Sequence, residues 1–136
     1  MPDSNKEIIR QALDTYNAAS WDGLDAFFDA DYVHHNNGAN LTLAQFKRGA
    51  AWFRAGMPDF RITIDDMVAE ADRVAIRFTG WGTHLGSLFG EAPTSKSITV
   101  YGATMYRFRD GRVVEDWETL DEHHLRRQVG AVAEGR

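Results

Sequence analysis

With 136 residues, 43% of them hydrophobic and 26% charged, the chain has the length and balance of one folded domain, not of a disordered or two-domain protein. Lys+Arg 15 against Asp+Glu 20 leaves a formal net charge of -5, so neither nucleic acid nor an anionic membrane is an expected partner. The absence of cysteine excludes disulfides, thiolate nucleophiles and thiolate metal ligands.

No apolar run approaches the roughly 18 residues of a membrane helix, and Met1 to Glu7 carries no signal-peptide pattern. The expected location is therefore the cytoplasm. No repeat or linker interrupts the chain, so a single domain over residues 1–136 is expected.

Ser4 and Glu7 have capping-box spacing, and Ile9, Ala12, Leu13 and Tyr16 then recur on one helical face. A short second helix carries Leu24, Phe27 and Phe28, and Asp31 to Asn37 reads as a brief strand or extended loop. Thr42 and Gln45 repeat the capping-box pattern, followed by Leu43, Phe46, Ala50, Phe53 and Met57 at steps of three and four; Gly56 and Pro58 stop this third helix.

After Asp59 the period changes from helical to alternating. Arg61 to Glu70 is a strand, an Ala-Asp-Arg turn follows, and Val74, Ile76 and Phe78 alternate with more polar neighbours. Gly80 and Gly82 continue that strand as a bend. Gly86 to Lys96 is a loop, Ile98 to Arg109 a long strand, Asp110-Gly111 a hairpin turn, Arg112 to Leu120 the returning strand, and Glu122 to Val129 a terminal helix. Helices followed by consecutive antiparallel strands indicate an α+β fold, with N-terminal helices packed on a strongly curved antiparallel sheet around a cone-shaped apolar pocket.

Along the last strand, side chains alternate between faces. Val113, Glu115, Trp117, Thr119 and Asp121 share one side, and Asp116 and Glu118 the other. Trp117, as the bulkiest apolar group, is expected to point inward and to take Asp121 with it. A carboxyl beside a Trp in an apolar cavity would lose hydration and titrate upward, as suits an acid/base catalyst. The alternative is that Asp121 caps the terminal helix that it directly precedes.

Several blocks together resemble the SnoaL-like polyketide cyclases. They are Gly82-Thr83-His84-Leu85-Gly86 with Phe89-Gly90, Pro93-Thr94 and Lys96; Tyr106 through Trp117; and Asp121 with Leu125 and Gln128-Val129-Gly130. Met57-Pro58-Asp59-Phe60 and Asp31-Tyr32-Val33-His34-His35 fit the same pattern, and Ser95 and Val129 depart from it. The resemblance implies a nuclear-transport-factor-two-like (cystatin-like) cone, a homo-oligomer (dimer or tetramer), and no metal or organic cofactor. It also implies ring closure by intramolecular aldol condensation of a polyketide ester, with the acid/base Asp mapping onto Asp121. Relatives of the family isomerise, dehydrate or hydroxylate instead, and a non-catalytic binding module stays open as well.

His84 and His35 match family histidines. Either could polarise a substrate carbonyl, and His84 could equally be a loop residue satisfied by backbone. His34 has the parity of an exposed residue. His123 and His124 beside Asp121 and Glu122 repeat no metal-ligand spacing, so no metal site is expected. Trp117, Tyr16, Phe53, Trp52, Tyr101 and Met105 are the expected wall of a site for a small hydrophobic, flat polycyclic substrate. The Arg-x-Asp element of the limonene-epoxide-hydrolase branch is missing from the chain.

Overall fold

A computed structural model describes residues 2–131; the expected domain span of 1–136 includes Met1 and residues 132–136, which lie outside it. The elements in chain order are α1 (Pro2–Asn17), a 3-10 turn (Asp22–Ala26), β1 (Phe28–Asn36), β2 (Ala39–Thr42) and α2 (Leu43–Gly56). They are followed by β3 (Arg61–Glu70), β4 (Arg73–Thr83), β5 (Ser97–Arg109), β6 (Arg112–Leu120) and α3 (Glu122–Val129). The α+β architecture is the expected one.

The six strands form one sheet in the order β2-β1-β6-β5-β4-β3. β3 through β6 pair antiparallel as a meander, while β1 pairs parallel with β6 and antiparallel with β2. The segment around Asp31 to Asn37 is thus a full strand that starts at Phe28, and the sheet is mixed. Phe27 and Phe28 belong to the approach and start of β1 rather than to a helix. This addition matters for function, because it brings His34 beside Asp116 and His35 beside Trp117.

Local chemistry explains most boundaries. The Thr42 hydroxyl accepts from Gln45 N at 3.2 Å while Gln45 Oε1 accepts from Thr42 N at 2.9 Å, the reciprocal cap that starts α2. Ser4 plays no such part, since α1 already begins at Pro2. Asp110 (φ 53) and Gly111 (φ 76) both take the left-handed conformation that a tight two-residue hairpin requires between twisted strands. The loop after β4 is fastened to the end of α2 by Leu85 N and Gly86 N, which both donate to Gly56 O.

α1 and α2 are tied together at one corner. Arg54 donates to the carbonyls of Asn17 (3.1 Å) and Tyr16 (3.0 Å), satisfying the open end of α1. Asn17 in turn exchanges two hydrogen bonds with Ile62, at 2.9 and 2.8 Å, which fixes β3 to the same corner.

Apolar burial falls into two clusters. One joins Ile9, Ala12, Leu24 and Phe28 to Val74, Ile76, Phe78, Tyr106, Phe108 and Val113. The other joins Met57, Phe60, Leu88, Ile98, Val100, Leu125 and Val129. Each fully buried aliphatic side chain of this kind contributes roughly 1.5–3 kcal/mol. The cavity lies between the two, with walls drawn from both.

Candidate active site

The cavity holds about 290 Å³. Its apolar walls come from α1 (Ala12, Leu13, Tyr16), α2 (Phe46, Trp52, Phe53) and the inner face of the sheet (Ile62, Ile76, Phe78, Val100). α3 adds Leu125. Trp52 is half exposed at the open end. At the other end the walls turn polar, with His34, Asn36, Thr104, Tyr106, Asp116 and Glu118.

These polar groups form one network. Asp116, 2% exposed, accepts from the Tyr32 hydroxyl at 2.6 Å on Oδ2 and from His34 Nδ1 at 2.6 Å on Oδ1. With Nδ1 held by the carboxylate, Nε2 of His34 is aimed at Glu118, 3.8 Å from Oε2. Glu118 also accepts from Asn36 Nδ2 at 3.1 Å and from the Thr104 hydroxyl at 3.5 Å.

The electrostatics follow from this packing. Burial, reinforced by the charge of Asp116, raises the Glu118 carboxyl to about 7 against the partial offset of His34 and Thr104. For His34, burial works against the cation, but the hydrogen bond and charge of Asp116 and the charge of Glu118 outweigh it, so the imidazole titrates above its ordinary range. Burial foremost, with the neighbouring carboxylates, pushes the Tyr32 and Tyr106 hydroxyls far up, so both stay protonated donors at neutral pH.

The structure reverses the expected faces of β6. Trp117 is 38% exposed on the outer side of the sheet, sandwiched between the His35 ring (centroids 5.4 Å apart) and the Arg73 guanidinium (5.4 Å). Asp116 and Glu118 point inward instead. A bulge where Phe108 pairs with Val113 and Arg107 with Glu115 buries Val113 and Val114 in succession, so alternation counted from Val113 fails beyond it. The bulk of Trp117 is accommodated by π contacts outside, and the charge of Asp116 by the Tyr32 and His34 hydrogen bonds inside.

Asp121 lies outside the cavity lining. It caps α3, its Oδ1 accepting from His124 N at 3.1 Å, and its side chain is exposed. His84 is fully buried at the end of β4, where its Nδ1 meets the Thr94 hydroxyl at 3.0 Å and its backbone is paired to Lys96 and Ser95. That is the loop-anchoring alternative. His35 sits on the outer face, bonded to Glu115 (2.6 Å) and Asn40 (2.7 Å).

Of the expected wall, Tyr16, Phe53 and Trp52 line the cavity. Tyr101, Met105 and Trp117 stand exposed on the outer sheet face, as their odd positions along β5 and β6 require once the faces are reversed. His34, expected outside, is inside and 3% exposed. The residues that sequence reasoning passed over carried a signal: Tyr32, His34 and Asn36 alternate along β1 as Asp116, Glu118 and Leu120 do along β6. Two such strands side by side concentrate polar groups on one face.

An apolar cavity ending in a carboxylate-oriented imidazole beside a second, protonatable carboxyl defines a small-molecule site equipped for proton transfer. The chain belongs to the SnoaL-like polyketide cyclase family, whose profile matches residues 6–129. Among solved structures it is similar to AclR from Streptomyces galilaeus, a provisionally assigned hydroxylase, at 25% identity and a TM-score of 0.91, covering 98% of this chain and 89% of that one. It is similar also to IdmH from Streptomyces antibioticus, a provisionally assigned polyketide cyclase, at 26% identity and TM-score 0.85, covering 93% and 98%.

A SnoaL-like protein from Jannaschia shares the fold at 17% identity, TM-score 0.88, with 98% and 96% covered. No curated protein matches the chain significantly. No helix among the described residues is long and apolar enough to cross a membrane.

Proposed function

We propose that the protein is a cytoplasmic, cofactor-free acid/base enzyme acting on a polyketide-like carbonyl compound, with ring closure by intramolecular aldol condensation as its reaction. The observation that carries this reading is Glu118, a carboxyl raised to about 7 in the cavity wall, 3.8 Å from an imidazole fixed by Asp116. Glu118 as carboxylate removes the proton α to the substrate carbonyl. His34, protonated and held through Nδ1, donates from Nε2 to the oxygen where enolate charge gathers. Asp116 and Tyr32 are positioning residues. The enolate carbon then attacks a second carbonyl of the same molecule, and the proton on Glu118 returns to the new alkoxide.

In this reading Asp121 caps α3 and takes no part in the chemistry. The family likeness supports a polyketide-like substrate; isomerisation or hydroxylation would use the same first proton transfer.

The test is exchange of the α-protons of 1-tetralone in D2O, followed by NMR. The wild type should accelerate exchange, Glu118→Gln should slow it by about 100-fold or more, and Asp121→Asn should leave it within a few-fold. Exchange at the buffer rate in the wild type, or loss in Asp121→Asn with full activity in Glu118→Gln, would overturn the assignment.

The homo-oligomer that the resemblance implies is proposed to form through the outer sheet face. Met105 and Trp117 are cross-strand partners there, with Tyr101 exposed farther along β5.

A further inference from the structure

Three tyrosines stand around the cavity, and the hydroxyls of two have protein partners. Tyr32 donates to Asp116 at 2.6 Å. Tyr106 lies across from Asp116 in the β5–β6 ladder, and its hydroxyl is partnered by Thr104. Tyr16 comes from another wall, α1, and joins neither network.

The Tyr16 hydroxyl feels the charge of Glu118 without a hydrogen bond between them. Burial foremost, and then that charge, push the phenol well above its ordinary value against the opposing effect of Arg54, so it holds its proton at neutral pH. Among the described residues, the occluded side-chain atoms that lack a partner are Asn36 Oδ1, Arg54 Nε and His84 Nε2. Tyr16 Oη is not one of them. It is enclosed by protein, free of protein acceptors, and open to a ligand from the cavity that the residue lines.

The ring is fixed before any ligand arrives. Trp21 meets it edge-on at 5.5 Å between centroids, and the Arg54 guanidinium lies over it at 5.7 Å while donating to the Tyr16 carbonyl at 3.0 Å. At the open end Trp52 meets Phe89 edge-on at 5.4 Å, with the Arg126 guanidinium against Phe89 at 4.2 Å, so the mouth is narrowed by apolar surface. A held, neutral donor in such a site is worth most where negative charge develops. A hydroxyl already engaged by a protein acceptor would first have to give up that bond.

We propose that Tyr16 is a catalytic residue whose hydroxyl donates to the substrate carbonyl oxygen, so that Tyr16 Oη and His34 Nε2 form a two-donor oxyanion site with Glu118 at the α-carbon. The inference rests on the acid/base reading for the roles of Glu118 and His34. As Glu118 takes the α-proton, the electron pair of the C–H bond moves into the enolate, and the two donors share the charge that reaches oxygen. Tyr16 keeps its own proton throughout; it is a donor and not an acid.

The test uses Tyr16→Phe, which removes the hydroxyl and keeps the ring. Two readouts are needed: the carbonyl stretch of bound 13C-labelled 1-tetralone in the infrared, and its α-proton exchange in D2O. The carbonyl band should move to higher wavenumber in the variant. Exchange should fall about 100-fold in kcat with KM within a few-fold, and both limbs of the pH profile should stay in place. A band that does not move in Tyr16→Phe overturns the proposal even if the rate falls, because Tyr16 would then act through Glu118. A wild type that does not bind 1-tetralone overturns it as well. Should Tyr16→Phe not fold, replacing Tyr16 by 3-fluorotyrosine, a stronger donor, should lower the band, and an unmoved band again overturns it. A band that depends on Tyr16 without any wild-type proton exchange would leave this donor standing and remove Glu118 as the base.

Discussion

At the scale of single residues, the site depends on burial acting against hydrogen bonding. Glu118 is raised mainly because the cavity withholds water from its charged form, whereas His34 stays basic despite burial because Asp116 accepts from it. Activity should therefore need ionised Glu118 and protonated His34 together. A kcat/KM profile should rise through about 7 and fall again through the elevated His34 titration, a bell belonging to the coupled pair. Asp116→Asn removes the charge that favours the imidazolium, so the alkaline limb should move to lower pH; a limb that stays in place would show that Asp116 does not set it. Asp121→Ala removes a helix cap and should cost about 1 kcal/mol on denaturation with exchange kept within a few-fold.

At the scale of elements, β6 and the loop after β4 matter most. The bulge at Val113–Val114 decides which of two acidic sets faces the cavity, and β1 supplies the histidine and tyrosine that make the buried acids tolerable. The loop is held against the end of α2 through Gly86, where a Cβ would run into the Ala55 carbonyl oxygen. Gly86→Ala should therefore destabilise by roughly 1–3 kcal/mol, read from urea midpoints, and should weaken ligand binding by loosening Phe89. The boundaries of α2 and α3 and the strands β3, β4, β5 and β6 were legible in the sequence, because the Thr42–Gln45 capping box, Asp110-Gly111 and the change of period are local signals, whereas the Ser4–Glu7 spacing marked no helix start. β1 was legible only in part, since one of its two partners, β6, lies some eighty positions away, and the short β2 beside it was not read as a strand.

At the scale of the whole molecule, the proton held by Glu118 links the site to stability. A carboxyl whose folded pKa is raised binds more protons folded than unfolded between its ordinary range and about 7, so its contribution weakens as pH rises through that window. Glu118→Gln should therefore stabilise the fold at pH 8, by on the order of 2 kcal/mol, and do little at pH 4; thermal melts at both pH values check this. The exposed aromatic and Met side chains outside the sheet belong to the same scale. Met105→Glu with Trp117→Glu should shift the protein to monomer in sedimentation, with helical content unchanged.

The sequence alone determined the α+β class, the course of the chain from α2 through the four-strand meander to α3, the resemblance that the family match bears out, and the expectation of a small-molecule cavity. Those follow from periodicity and turn chemistry, which act over a few residues. Only the tertiary structure decided which face of β6 is inside, and so replaced Asp121 with Glu118, His34 and Asp116 as the groups at the cavity. The sequence reading oriented β6 by the bulk of Trp117, but the indole finds His35 and Arg73 on the outer face, and a buried acid is stable only where a strand distant in sequence brings it hydrogen-bond donors.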